Sequence, residues 1–347
     1  MLEELRPRLE LVLEADGKPV VDGELAEILR AIKSVGSLLR ASRALGLPYS
    51  RVWDRIARAE RELGTRLIEA RRGGREKGGA RLTEAGERVL ELYEKYERAL
   101  GARPLARGLG EMPMPDLVVA GSHDLLLELL VGRIRVERRL DVEVSWIGSA
   151  GGLAALMLGD ADVAGSHLYD EETGEYNEPF LDKYWLRRRV EFVGHYFREL
   201  GLAYRPDKPV RSIRDLLEGG YRLANRNPGS GTRHVLEIFL RREGVGVEEA
   251  ARLIPGFDSE YRTHTDAVEA VARGEADVAL TLRAVAKSRG LEFTSVLWER
   301  YDLIALKKSL GKSGVRALVE VLHSDSAREL ASRLPGYRLS EQREMHI

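Results

Sequence analysis

Cysteine is missing from all 347 residues, which excludes disulfides, thiolate metal sites and a cysteine nucleophile. No apolar run approaches the ~18 residues that a membrane-spanning helix needs. The opening residues, Met1-Leu-Glu-Glu-Leu-Arg-Pro-Arg, lack the apolar core of a secretory signal, so a cytoplasmic protein with no membrane partner is expected. The seven histidines are scattered without metal-ligand spacing, and neither a metal nor a cofactor is expected. Net charge is nearly absent too, at −1, but it is unevenly spread. Between Arg30 and Arg81 stand 14 Lys/Arg against 5 Asp/Glu, a local excess that suits a polyanionic partner. The length leaves room for two or three domains.

The first hundred residues explain that charge. Leu9-Glu-Leu-Val-Leu-Glu-Ala alternates like a strand and turns at Asp16-Gly17-Lys18. A helix is predicted from about Asp22 to Val35, with Leu25, Ile28, Leu29 and Ile32 on one face. Gly36 stops it, and Ser37 is placed to cap a second helix from Leu38 to Leu45. Gly46-Leu47-Pro48 then opens a third helix reaching about Leu63, which completes a helix-turn-helix. Tyr49, Ser50, Arg51, Asp54, Arg55 and Arg58 lie on faces of this helix not needed for packing. Its polar N-terminal end therefore reads as a recognition helix for a major groove. Strand, basic Gly-rich tip and strand follow across residues 65–83, and the tip's Arg72, Arg75 and Lys77 suit phosphate or minor-groove contact. An amphipathic helix is predicted from Thr83 to about Leu100. It reads either as a dimerisation helix or as one packed only on its own domain. The candidate DNA-binding set is Ser37, Tyr49, Ser50, Arg51, Arg55, Arg58, Arg72, Arg75 and Lys77.

Residues 101–115 are rich in Gly and Pro without periodicity, so they read as a linker between a domain at 1–100 and a second at 116–347. In the second, strand-like and helix-like segments alternate, which predicts an α/β domain with mostly parallel sheet. Gly152-Leu-Ala-Ala-Leu-Met-Leu-Gly-Asp-Ala-Asp-Val-Ala returns as Ala267-Val-Glu-Ala-Val-Ala-Arg-Gly-Glu-Ala-Asp-Val-Ala. Each copy ends a helix at Gly and enters a buried strand through an acidic turn.

The most informative stretch is Asn225-Arg-Asn-Pro-Gly-Ser-Gly-Thr-Arg, between a strand-like run (Tyr221, Leu223, Ala224) and a helical one starting near His234. Such a turn aims N–H groups, hydroxyls and a helix N-terminus at one point, as an anion site does. The alternative reading is an ordinary turn in which Ser230 or Thr232 caps the helix. Two further strand-to-helix corners, Gly121-Ser122-His123 and Gly148-Ser149, offer hydroxyls without a neighbouring carboxylate. The candidate ligand-binding set is Ser122, His123, Ser149, Arg226, Ser230, Gly231, Thr232 and Arg233. The polar segment from His167 to Asn177 reads as a hinge crossing or a lid. No nucleophile–base pair is evident in the sequence, and no catalytic residue is expected.

Several of these motifs resemble known families. Asp16-Gly-Lys-Pro, Ile32-Lys-Ser-Val-Gly-Ser, Tyr49-Ser50, Val52-Trp53-Asp54 and Gly78-Gly-Ala-Arg-Leu-Thr resemble the DNA-binding domain of ModE-type molybdate-responsive regulators and, more loosely, of LysR-type regulators. That resemblance implies an α+β winged helix-turn-helix in a homodimer or higher homo-oligomer on double-stranded promoter DNA. The echoed Gly-Asp/Glu-Ala-Asp-Val-Ala motif resembles the two lobes of a type-2 periplasmic-binding-protein-like α/β fold. Arg226 to Thr232 is similar to a motif of tungstate-binding transport proteins. The likeness implies that Arg226 and Thr232 contact a tetrahedral oxyanion, although the motif's two acidic residues are Pro228 and Gly229 here. The expectation is a transcription regulator, not an enzyme, sensing a small anion, molybdate or tungstate. The alternatives are an organic anion or molybdopterin-type metabolite lying against Trp146, Tyr169 and Tyr301, or a cofactor-biosynthesis enzyme fused to a DNA-binding domain.

Overall fold

The computed structural model describes residues 11–70, 79–100 and 114–339. The chain divides into two compact units. One comprises Met1–Met114 with Leu158–Asp160, and the other Pro115–Met157 with Ala161–Ile347.

The first unit is a winged helix-turn-helix. A hairpin of β1 (Leu13–Ala15) and β2 (Lys18–Val21) leads into α1 (Gly23–Val35), α2 (Leu38–Leu45) and α3 (Tyr49–Leu63). Strands β3 (Ile68–Ala70) and β4 (Ala80–Leu82) pair antiparallel as the wing stem, and α4 (Glu84–Ala99) follows. Leu25, Ile28, Leu29 and Ile32 of α1 are fully buried, each contributing about 1.5–3 kcal/mol. Gly36 ends α1 in the left-handed region, and Ser37 Oγ accepts from Arg40 N to start α2. On α4, Leu90 and Tyr93 pack inward and Arg30 of α1 pairs with Glu94 and Glu97. Leu92, Tyr96 and Leu100 form a second, exposed apolar face.

The second unit begins with β5 (Leu117–Gly121), α5 (Leu125–Arg138), β6 (Val142–Trp146), α6 (Gly148–Leu158) and β7 (Val163–Ser166). The 15-residue strand β8 (Val190–Tyr204) then leads to α7 (Ile213–Glu218), α8 (Gly231–Arg242), α9 (Val247–Leu253), α10 (His264–Ala272), β9 (Val278–Leu282) and α11 (Arg283–Ser288). A second 15-residue strand, β10 (Glu292–Leu306), returns to α12 (Ser313–Leu322), α13 (Asp325–Ser332) and β11 (Tyr337–Leu339).

The sheet order is β11-β8-β10-β7-β5-β6, with β9 on β8. Among the described strands only β5–β6 and β5–β7 pair in parallel, so the sheet is mixed rather than mostly parallel. The reason lies in β8 and β10, which pair with each other antiparallel over their whole length. The C-terminal half of β10 extends the β7-β5-β6 lobe, and the C-terminal end of β8 carries β9 of the other lobe. A chain that crosses between lobes and returns must run both ways.

The sequence echo is visible in the lobes. Gly159 and Gly274 end α6 and α10 at the same left-handed φ of 76°. Asp162 and Asp277 then each accept a backbone N–H from a neighbouring segment, from Val118 at 3.1 Å and Arg222 at 2.9 Å. A short carboxylate entering a buried strand thus fixes an adjacent segment in both lobes.

Candidate functional site

The site is built where β5, β7 and the crossing strands meet the N-termini of α8 and α10. Asn225 shapes its approach, accepting from Arg226 N and donating to Phe257 O at 2.7 Å. Arg226 is 1% exposed. Its Nε donates to Tyr261 O at 3.0 Å and its Nη2 to Arg262 O at 2.6 Å, while Nη1 has no partner. Burial, helped by the Arg198 charge, pulls its pKa down to about 9, so its surroundings disfavour this cation.

Ser230 occupies the N-cap position of α8 but its side chain makes no capping bond, and Ser230 Oγ and Thr232 Oγ1 are both buried without partners. The structure therefore does not support the helix-cap alternative for either hydroxyl. Gly231 between them is a close approach: a Cβ there would lie 2.6 Å from the His167 ring. The ring thus lies directly against the first turn of α8.

His167 in turn joins the other corners. Its Nε2 lies 2.9 Å from Ser122 Oγ, its N–H donates to Ser149 Oγ at 3.1 Å, and its Nδ1 lies 2.8 Å from Glu299 Oε2. Glu299 also takes Arg198 Nε at 2.7 Å, and Arg198 Nη1 reaches Asp124 Oδ2 at 2.9 Å. Tyr196 and Tyr337 hydroxyls complete Asp124, and Arg198 lies 4.3 Å over the Tyr301 ring. Burial works to raise the Glu299 pKa, but Arg198 and His167 outweigh it and hold the carboxylate ionised. Burial lowers the His167 pKa despite Glu299, so its imidazole is neutral.

His123 and His264 form the remaining wall, their ring centroids 6.0 Å apart. His264 N donates to His123 Nδ1 at 3.4 Å. His264 Nδ1 lies 3.1 Å from Thr281 Oγ1, and its Nε2 is buried without a partner.

Four groups around this circuit, Arg226 Nη1, Ser230 Oγ, Thr232 Oγ1 and His264 Nε2, are thus buried and unpartnered, as is Arg198 Nη2. Leaving a polar group buried and unsatisfied costs roughly 1–3 kcal/mol. Two of the five are guanidinium nitrogens, which can only donate, and two are hydroxyls, which can donate or accept.

Not every expected ligand residue faces this point freely. Arg233 Nε pairs with Glu237 at 3.1 Å, its Nη1 donates to Arg226 O at 3.3 Å, and its guanidinium lies 5.1 Å over Phe257. It supports the loop. Ser122 and Ser149 hydroxyls are both engaged by His167. At the α6 corner the Ala150 N–H donates to Gly229 O.

Carboxylates are present after all, as Asp124 and Glu299, and a Ser122–His167–Glu299 chain stands at hydrogen-bond distances. It is a poor nucleophile system. All three side chains are fully buried, the Ser122 N–H that would serve an oxyanion already donates to Gly165 O, and burial disfavours the imidazolium. Sequence reasoning missed Arg198, His264 and Glu299, which lie on segments far apart in the chain.

The 167–177 segment is not a hinge crossing, because β8 and β10 are. Tyr169 and Tyr176 form an antiparallel bridge, and Asn177 is fully buried between Ser166, Leu168 and Asp302. Its tip lies against α8, through Tyr169 O with His234 and Glu171 with Arg241 and Arg242.

In the helix-turn-helix unit, Tyr49 is 2% exposed and stacks on Trp53, so it belongs to the core and not to a groove-facing surface. A helix entering through Pro48 turns that first side chain inward. Arg51 pairs with Glu24, and Arg55 with Asp22 and Glu24. Ser50 is half-buried, Arg58 exposed, and Ser37 caps α2. Arg72, Arg75 and Lys77 lie outside the described residues.

Residues 133–323 match the family described as the PBP superfamily domain. The chain belongs to the PBP superfamily. Ahead of the PBP domain, residues 24–87 match the bacterial regulatory helix-turn-helix proteins of the lysR family. YvgK of Bacillus subtilis is 26% identical over 225 residues, 64% of this chain and 71% of YvgK. Molybdenum-pterin-binding protein MopA of Rhodobacter capsulatus is 37% identical over 90 residues, 26% of this chain and 34% of MopA. The dual regulator ModE of Escherichia coli is 31% identical over 84 residues, 24% of this chain and 32% of ModE. The chain thus spans about a third of MopA and of ModE.

Proposed function

We propose that this chain is a transcription regulator whose PBP domain senses a small tetrahedral oxyanion, molybdate or tungstate, and adjusts promoter binding by the helix-turn-helix. The observation that carries the ligand reading is the set of buried, unpartnered donors around the α8 N-terminus. A helix N-terminus with unsatisfied N–H groups, hydroxyls and a guanidinium supplies both the donors and the positive potential for an anion. Arg226 and Thr232, the two positions implied by the tungstate-transport motif, are both in that set. The ligand reading does not lean on the names of MopA and ModE, because their likeness is short.

A compact anion suits the site better than an aromatic metabolite. Tyr301 is fully buried, stacked between His167 and Tyr196, with its hydroxyl donating to Ser122 O at 2.6 Å. Trp146 packs against His123, and Tyr169 against Tyr176. The three rings expected to stack on an organic ligand are occupied by the protein.

The binding set then comprises Arg226, Ser230, Thr232 and His264, with Ser122, Ser149 and His167 positioning it. Anion contacts would hold the two lobes together across β8 and β10. Differential affinity for the closed state is what would let the anion shift the equilibrium and change DNA affinity. DNA contact falls to Ser50, Arg51, Arg55 and Arg58 of α3 with Arg72, Arg75 and Lys77, and the exposed α4 face forms the homodimer. Isothermal titration of the full chain with tungstate, molybdate and sulfate tests this. Saturable heat at one site per chain supports it, and no heat with any of the three would overturn it.

A further inference from the structure

The oxyanion reading leaves a charge problem. Two buried guanidinium groups, Arg198 and Arg226, face two buried carboxylates, Asp124 and Glu299, and both of these carboxylates are bound to Arg198 or its partners. These buried charges of the protein therefore nearly cancel, and a doubly charged anion among them would bury uncompensated negative charge. Such charge is costly unless something positive appears with it.

His264 is placed to supply that charge. Its ring is fully buried at the first turn of α10, and Nε2 has no partner. Its Nδ1 contacts the Thr281 hydroxyl, which can donate to a bare nitrogen or accept from a protonated one, so either protonation state is satisfied there. The neighbouring histidines differ. His167 has both ring nitrogens held, by Ser122 and Glu299. His123 accepts the His264 amide at Nδ1 and has Glu128 3.4 Å from Nε2. Of these three histidines, His264 alone keeps a ring nitrogen without a protein partner.

We propose that His264 is the proton-accepting ligand of the anion site, taking up about one proton with each dianion, so that the domain reads anion concentration and pH together. This rests on the oxyanion reading and adds proton linkage to it.

The charges facing His264 agree. From the 225–230 loop comes Arg226 and from β8 Arg198, both opposing protonation, as do His123 of the β5–α5 corner and His167 just after β7. Burial is the largest cause, and with these charges it holds His264 well below the usual histidine range, so the ring is neutral. On its own helix, the Asp266 carboxylate is turned to the Thr263 N–H in a capping box. Glu299 of β10 and Asp124 of α5 are matched by Arg198. A dianion against Nε2 reverses the balance. The sign follows: between the empty-site and bound-site pKa values, binding takes up a proton, so affinity falls about tenfold for each unit of rising pH.

Calorimetry of the full chain with sodium tungstate, in two buffers of different ionisation enthalpy, counts the protons without any variant. About one proton taken up per tungstate at pH 7, with Kd rising about tenfold per pH unit above it, is the expected result. His264→Gln, with folding checked by its melting curve, should bind more weakly and show neither proton uptake nor pH slope. Tungstate binding with no proton uptake would overturn the linkage and leave the anion site standing. Uptake that persists in His264→Gln would overturn the assignment to this residue. No binding of tungstate, molybdate or sulfate would overturn both.

Discussion

Ser230→Ala and Thr232→Val separate an anion cradle from a helix cap by the sign of their effects. Replacing a capping serine by alanine ordinarily costs about 0.5–2 kcal/mol of stability. Here the Ser230 side chain makes no capping bond, and both hydroxyls are buried without partners. Removing an unsatisfied buried hydroxyl relieves a penalty of roughly 1–3 kcal/mol. Valine also keeps the shape of threonine in the first turn of α8. The ligand-free variants should therefore match or exceed the parent, by up to ~1 kcal/mol each after discounting lost packing. Anion binding should move the other way. A hydrogen bond to a charged group contributes about 1.5–3 kcal/mol, so each variant should weaken tungstate binding by roughly 10- to 100-fold. Urea unfolding with and without tungstate measures both quantities on one sample. Loss of ligand-free stability by about 1 kcal/mol with unchanged anion affinity would refute the reasoning and restore the capping role.

Three other outcomes are expected. Burial raises the Asp302 pKa to about 6 against the opposing pull of Arg300. A carboxyl raised in this way contributes stability at low pH that is lost as pH rises through about 6, up to ~3 kcal/mol in all. Asp302→Asn should flatten the unfolding free energy between about pH 4 and 6, and an unchanged profile contradicts the assignment. Leu92→Glu with Tyr96→Glu places charge on the exposed α4 face and should yield a monomer by light scattering, with melting temperature little changed; a persisting dimer would place the interface elsewhere. Arg58→Ala should weaken promoter binding uniformly across sequences and lower the salt slope by about one, measured by fluorescence anisotropy, whereas an unchanged slope removes Arg58 from the phosphate contacts.

Local signals were the legible ones. Gly36-Ser37 and Gly46 set helix ends through left-handed φ and a hydroxyl cap, and the structure places α1 and α2 where those residues indicate. The Gly-Asp/Glu-Ala-Asp echo marked equivalent turns because each Asp has the same backbone task in both lobes. Long-range structure was not legible. Alternating strands and helices suggest parallel sheet, and nothing local in Val190–Tyr204 or Glu292–Leu306 announces a crossing strand that must pair antiparallel. The same distance hid the core of the site. His167 and Glu299 are 132 residues apart and Arg198 and Glu299 101, so no spacing rule could join them. Tyr49 shows the limit of helical periodicity at a helix's first residue, where chain entry through Pro48 decides which way the side chain turns. Within 225–233 the separate tasks of Arg226 and Arg233 depend on which carbonyls and rings surround each guanidinium, and those come from segments that the local sequence does not announce.

Tungsten's anomalous scattering offers the most direct test of the account. In crystals of the full chain grown with tungstate, the account predicts one strong peak per chain within hydrogen-bond reach of Arg226 Nη1, Ser230 Oγ, Thr232 Oγ1 and His264 Nε2. A cradle without a peak, or a peak held only by surface residues, would contradict it.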